Sequence, residues 1–271
     1  MSTTLQNRGL ADLGPGAWKA VLFGFVLAGA ALMLERPGLS DHGLSDHLAI
    51  AGLLTADSFG SAIERDASTT PDKNSAEPFG MDTEPVLAGT LPEKWHRVKS
   101  DINKDRETVA QCRASQSCPP PAQKLIDLSL EGAGRSGRAQ VGLINRAVDL
   151  AIKPASDERQ WGIPDRWSDP FETILSERGD CEDYAILKYT ALLEAGFPKE
   201  SLRIVVWKNR LPNEDHAVLA VRVDDQWLIL DNRTLTLVRD IDVKRAIPEF
   251  VLDEQGVRRL VSNDRMRKLP S

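Results

Sequence analysis

A thiol at Cys181, an imidazole at His216 and a carboxylate at Asp231 follow one another in an order that can supply nucleophile, base and orienter for acyl transfer. Cys181 stands in Gly179-Asp180-Cys181-Glu182-Asp183-Tyr184-Ala185, a lone thiol among three carboxylates. From Cys181 to Gly196 the chain has no proline, is rich in Ala, Leu, Glu and Lys, and sets Ala185, Tyr189, Leu192 and Leu193 at core-facing helical spacing. Gly196, with Pro198 beyond it, is a stop signal, so Asp180 is expected as N-cap and Cys181 in the first turn. Free backbone N–H groups there favour an anion and lower a thiol's pKa from its usual value of roughly 8.5. Asp180, Glu182 and Asp183 push the other way unless they turn aside or hold a cation.

The elements that must position the other two residues come next. Residues 202–208, 216–223 and 226–231 read as strands separated by polar segments, the last two closing as a hairpin at Asp224-Asp225. A two-residue loop sets Asp231 opposite Val218, and side chains two apart on a strand share a face, so His216 and Asp231 come within reach. An odd-length loop without a bulge would put them on opposite faces. Taken singly, each residue has a plainer reading: Cys181 as a small buried hydrophobe, His216 as a satisfied sheet-edge histidine, Asp231 as a turn starter before Asn232. The joint arrangement favours chemistry, and His216 is the only histidine beyond His96.

Several ordered blocks over residues 140–235 resemble the bacterial transglutaminase-like cysteine peptidases, a family that includes periplasmic adhesin-clipping proteases. They are Asn145-Arg146, Gln160-Trp161-Gly162, Asp165-Arg166-Trp167, Asp169-Pro170-Phe171-Glu172, the Gly179–Ala185 block, His216-Ala217-Val218-Leu219 and Leu230-Asp231-Asn232. The resemblance implies an α+β, papain-like and transglutaminase-like fold, with the nucleophile helix packed on an antiparallel sheet. It also implies a Cys181, His216 and Asp231 triad that hydrolyses a peptide bond through a thioester acyl-enzyme. The Cys181 backbone N–H would be one oxyanion donor, and by analogy with related folds the Trp161 indole would be a second. The resemblance further implies calcium, held by Asp180 and Glu182, a protein substrate such as a large surface adhesin, and an inner-membrane regulatory receptor. Calcium takes oxygen ligands and would neutralise carboxylates that oppose a thiolate, but it needs about six to eight of them. Two readings stand beside hydrolysis: a non-catalytic binding or scaffold module, and transamidation, since an amine can intercept a thioester.

The flanks speak to location. Residues 17–34 contain a nearly uninterrupted apolar run, preceded by Lys19 and ended by Glu35-Arg36, which reads as an export signal or an inner-membrane anchor, with the enzyme in the periplasm. Residues 37–88 read as a flexible linker, including a tandem Gly-Leu-Ser-Asp-His repeat at 38–42 and 43–47, and the folded domain is expected over 89–271. Within it, Trp95, Val98, Ile102 and Val109 suit one helix face and Val141, Ile144, Val148 and Ile152 another. Cys112 and Cys118 between these helices are a plausible disulfide in an exported protein, leaving Cys181 free. A net charge of -6 and a pI near 5.4, with no basic stripe, argue against nucleic acid as partner.

Overall fold

The computed structural model describes residues 76–115, 117–211 and 214–262. The apolar run at 17–34 and the tandem repeat lie outside those residues. No helix among the described residues is long and apolar enough to cross a membrane.

The helical layer comes first in the chain. Helix α1 (Thr90–Ala114) buries Trp95, Val98, Ile102 and Val109, the face that its periodicity marks, and α3 (Gly137–Ala151) buries Val141, Ile144 and Val148. Between them lies α2 (Pro120–Leu130), with Pro120 and Pro121 in its first turn, where a missing N–H costs nothing. Cys112, at the end of α1, is bonded to Cys118 just ahead of α2, which fixes that corner. Short helices α4 (Asp157–Trp161) and α5 (Pro170–Ser176) follow, and a two-strand parallel ribbon joins β2 (Lys153–Pro154) to β3 (Arg178–Gly179).

Helix α6 (Cys181–Glu194) is the axis of the domain. Every residue from Glu182 to Leu192 is buried, because α2, α3 and α5 cover one side and β4 and β5 the other. A helix so enclosed cannot show a single apolar stripe. Its one buried lysine, Lys188, is fully enclosed and pairs with Asp149 of α3 at 2.7 Å.

The main sheet has the order β1-β9-β8-β4-β5-β6-β7, every neighbouring pair antiparallel. Its strands are β1 (Asp82–Val86), β4 (Leu202–Asn209), β5 (Asp215–Val223), β6 (Gln226–Leu230), β7 (Val238–Arg239), β8 (Ala246–Asp253) and β9 (Gly256–Val261). One face, through Ile204, Leu219, Val221, Leu228 and Leu230, packs on the helices. The opposite face gathers Val205, Trp207, Val218, Ala220, Trp227, Ile229 and Val251. Asp224 and Asp225 both take positive φ, 49° and 58°, as a two-residue hairpin turn that follows the strand twist requires. The register pairs Leu219 with Leu230, as the sequence predicts for that turn.

The domain boundary needs correction. Residues 37–88 do not all belong to a linker: Glu77 is buried in an ion-pair network with Arg203 and Arg258, and β1 pairs with β9 along its length. The sequence hides this because β1 reads Asp-Thr-Glu-Pro-Val, with no apolar alternation and a proline that only an edge strand accepts. Arg258 of β9 is held in that network at 2.7 Å from Glu77.

Candidate active site

Helix α6 begins at Cys181, with Asp180 in extended backbone as its N-cap residue, but the Asp180 side chain makes no capping bond. One of its oxygens is buried without a partner. Gly179 is required by a close approach: a Cβ there would sit 2.6 Å from the Asp183 Cβ and 2.8 Å from its Oδ2. That absence of a side chain lets Asp183 fold back under the turn, where its Oδ1 accepts from the Ser168 N–H at 2.8 Å.

His216 and Asp231 meet. The imidazole Nε2–H donates to Asp231 Oδ1 at 2.9 Å, the carboxylate fixing which nitrogen carries the proton. The same oxygen accepts the backbone N–H of Arg233 at 2.9 Å. Burial alone would raise the Asp231 carboxyl; the His216 hydrogen bond and charge, joined by Arg233, hold it below its ordinary value. His216 is 1% exposed, and its Nδ1 is buried without a hydrogen-bond partner.

Cys181 and His216 line one cleft of about 490 Å³, together with Thr90, Leu91 and Lys94 of α1, Trp167, Val206 and Phe250. The Ala217 backbone N–H, next along β5 from His216, acts on the Cys181 sulfur and favours its anion. The thiol itself donates to Glu182 Oε2 at 3.0 Å. Burial, and then the Glu182 carboxylate, push the Cys181 thiol far above its ordinary pKa, opposite to the lowering that a helix N-terminus alone would give. The sequence could not foresee this, because whether Glu182 turns toward the sulfur depends on tertiary packing.

Acidic groups crowd this end of α6. Asp180, Cys181 and Glu182 present ligand atoms within 4.8 Å of one another, and so do Asp157, Asp180 and Asp183. Burial, then the Asp180 charge, raise Glu182 to about 9; burial raises Asp183 to about 7 and Asp157 to about 6. Asp157 was not marked by the sequence as a site residue, although it lies just ahead of the Gln160-Trp161-Gly162 block. A buried carboxylate oxygen without a partner on Asp180 and another on Asp183 suit a hard cation, which oxygen donors hold.

Trp161 stands apart from this arrangement. It is absent from the lining of the cleft, and its ring carries the Arg166 guanidinium at 4.1 Å from the centroid. The tryptophan of the cleft is Trp167, whose Nε1–H donates to Asp165 Oδ1 at 3.1 Å.

A buried helix that delivers a thiol to a cleft beside a sheet histidine is the core of a papain-like, transglutaminase-like cysteine peptidase. The family model for the bacterial transglutaminase-like cysteine proteinases matches residues 109–243, which hold all three residues, and that segment belongs to the family. Among solved structures it is similar to Legionella pneumophila LapG, at 21% identity over 62% of this chain and 92% of that one, with a TM-score of 0.47. A calcium-bound structure of the same protein matches at 22% identity over 60% and 91%, with a TM-score of 0.46. A structure from Cytophaga hutchinsonii matches at 21% identity over 43% of this chain and 40% of that one, with a TM-score of 0.34. Comparison with curated protein sequences returns no match.

Proposed function

We propose that this peptidase hydrolyses a peptide bond in a protein substrate, with Cys181 as nucleophile, His216 as general base and acid, and Asp231 as the orienter of the imidazole. The hydrogen bond of His216 Nε2 to Asp231, with Nδ1 left without a hydrogen-bond partner and the ring lining the same cleft as Cys181, carries the reading. Nδ1 takes the thiol proton as sulfur attacks the carbonyl carbon, then returns it to the leaving amine as the tetrahedral adduct collapses to a thioester. Water, deprotonated by the same nitrogen, releases the acid and restores the thiol. The Cys181 backbone N–H, at the head of α6, would stabilise the oxyanion.

Calcium is part of the proposal. Asp180 and Glu182, extended by Asp157 and Asp183, would hold it, and its charge would compensate carboxylates that now oppose the thiolate. The surroundings proposed are the periplasm, with residues 17–34 as signal or anchor; the Cys112–Cys118 bond, leaving Cys181 as the free thiol, supports an oxidising compartment. A large surface adhesin as substrate, and a membrane receptor that sequesters the enzyme, are the partners we propose.

Purified wild type, Cys181→Ala and His216→Ala tested on an adhesin fragment decide the matter. Cleavage by wild type alone, with all three proteins melting within a few degrees of one another, is expected. Full turnover by Cys181→Ala would remove the mechanism.

A further inference from the structure

The His216 ring is tied at one nitrogen only, so its plane must be set by what packs on its faces. Trp207 sits directly opposite His216 in the pairing of β4 with β5, with ring centroids 5.6 Å apart and planes at 54°. The β4–β8 register shifts between Val206 and Trp207, an irregularity of the kind that re-aims a side chain beside an active site. The indole cannot rotate freely: it is 3% exposed, and its Nε1–H donates to Asn209 Oδ1 at 3.0 Å.

A closed circuit continues from there. Asn209 Nδ2–H donates to Glu214 Oε1 at 3.3 Å, and Arg233 Nη2–H donates to the same oxygen at 2.6 Å. The Arg233 backbone N–H returns to Asp231, the acceptor of the His216 bond. On its other side Trp207 meets Phe79, edge to face, with centroids 6.3 Å apart and planes at 80°. Phe79 holds a left-handed backbone with φ at 64°, a conformation an aromatic residue keeps only when its surroundings enforce it. Its N–H donates to Asp240 Oδ2 at 2.6 Å.

We infer that Trp207 is the positioning residue that fixes the plane of the His216 imidazole against Asp231, with Phe79, ahead of β1, as the backstop of the indole. The inference rests on His216 being the catalytic base. It gives the short segment before β1 a part in the chemistry, although it touches no reacting atom.

The test uses the full chain in calcium-containing buffer and reads two signals: the His216 ring N–H proton resonance, and the rate at which iodoacetamide alkylates Cys181. Phe79→Ala and Trp207→Leu are expected to lose the ring resonance to solvent exchange and to slow alkylation about tenfold, within what a small misplacement costs. Phe79→Tyr and Trp207→Phe, which keep the rings, are expected to restore both. A wild-type resonance and rate in Phe79→Ala would overturn the inference. So would losses that follow melting temperature across the four variants, since the rings would then be core packing alone. Neither signal needs a substrate, so a wild type with an ordered ring proton and a fast thiol that cleaves no protein would sink the peptidase reading separately.

Discussion

Burial sets the acid–base character of the residues around Cys181. The thiol is protonated and bonded to Glu182, and Glu182, Asp183 and Asp157 all stand well above ordinary carboxylate values, chiefly because they are buried. Groups whose folded pKa is raised leave stability intact below their unfolded values, near 4, and cost stability as pH rises through their folded values. The cation-free protein should therefore lose melting temperature between about pH 4 and pH 9, the window bounded by the unfolded carboxyls and by Glu182 at about 9. Bound calcium should flatten that slope and raise the melting temperature at pH 8, and Asp180→Asn with Glu182→Gln should abolish the calcium response. Thermal melts at several pH values, with calcium and with chelator, check this; curves that do not separate would reject the site. The types and order of Cys181, His216 and Asp231 were legible in the sequence, and so was the His216–Asp231 contact, because a two-residue turn dictates it. Asp157 was not, since what brings it to Asp180 is the path of α4 and not proximity in the chain.

The elements matter because each presents one of these groups from a rigid place. Helix α6 could be read from its composition and its Gly196 stop, and β4 to β6 from their apolar runs, but β8 is interrupted by Pro248 and Glu249 and β9 by Arg258 and Arg259, so neither shows a clear alternation. Helix α1 shows how a supporting element is wired to the site. It lends Leu91 and Lys94 to the cleft, while further along Asp105 Oδ2 accepts the Phe171 N–H at the start of α5 at 3.1 Å. Burial, then the charge of Asp169, raises Asp105 to about 7. Its ionisation in the folded state is thus unfavourable: stability is complete below the unfolded value and falls as pH climbs toward 7. Asp105→Asn keeps an oxygen for Phe171 and removes the charge. It is expected to leave the melting temperature at pH 4 nearly unchanged. At pH 8 it should raise it by roughly 2–4 °C, the shift that about 1 kcal/mol produces in a domain of this size. A lower melting temperature at pH 8 would show that the ionised form is favoured. On the other side of α6, Lys188→Met strands Asp149 as an unpaired buried carboxylate, and a loss of about 3–5 kcal/mol in denaturant unfolding is expected.

For the described domain as a whole, the decisive feature is where it starts. The sequence places the beginning at residue 89, because Pro, Ser, Thr and Asp crowd the residues before it and no face alternates. The chain instead commits at Glu77. There one carboxylate meets Arg203 at 2.9 Å and Arg258 at 2.7 Å, and both guanidiniums also reach Asp253. Removing Glu77 leaves two partly buried cations sharing one buried carboxylate, and removing β1 opens the whole length of β9 as an unpaired edge. Phe79 departs with it, and Trp207 loses the ring that it leans on. A protein that begins at residue 89 should therefore melt well below one that begins at residue 75, by several kcal/mol in equilibrium unfolding, and should self-associate through the bared strand. Its Cys181 should also react more slowly with iodoacetamide than in the longer protein, at a temperature where both are folded. Denaturant titration, sedimentation and alkylation of the two proteins side by side measure all three effects. Equal stability and equal thiol reactivity would mean that residues 76–88 are an ornament on the sheet and that the catalytic unit is complete without them.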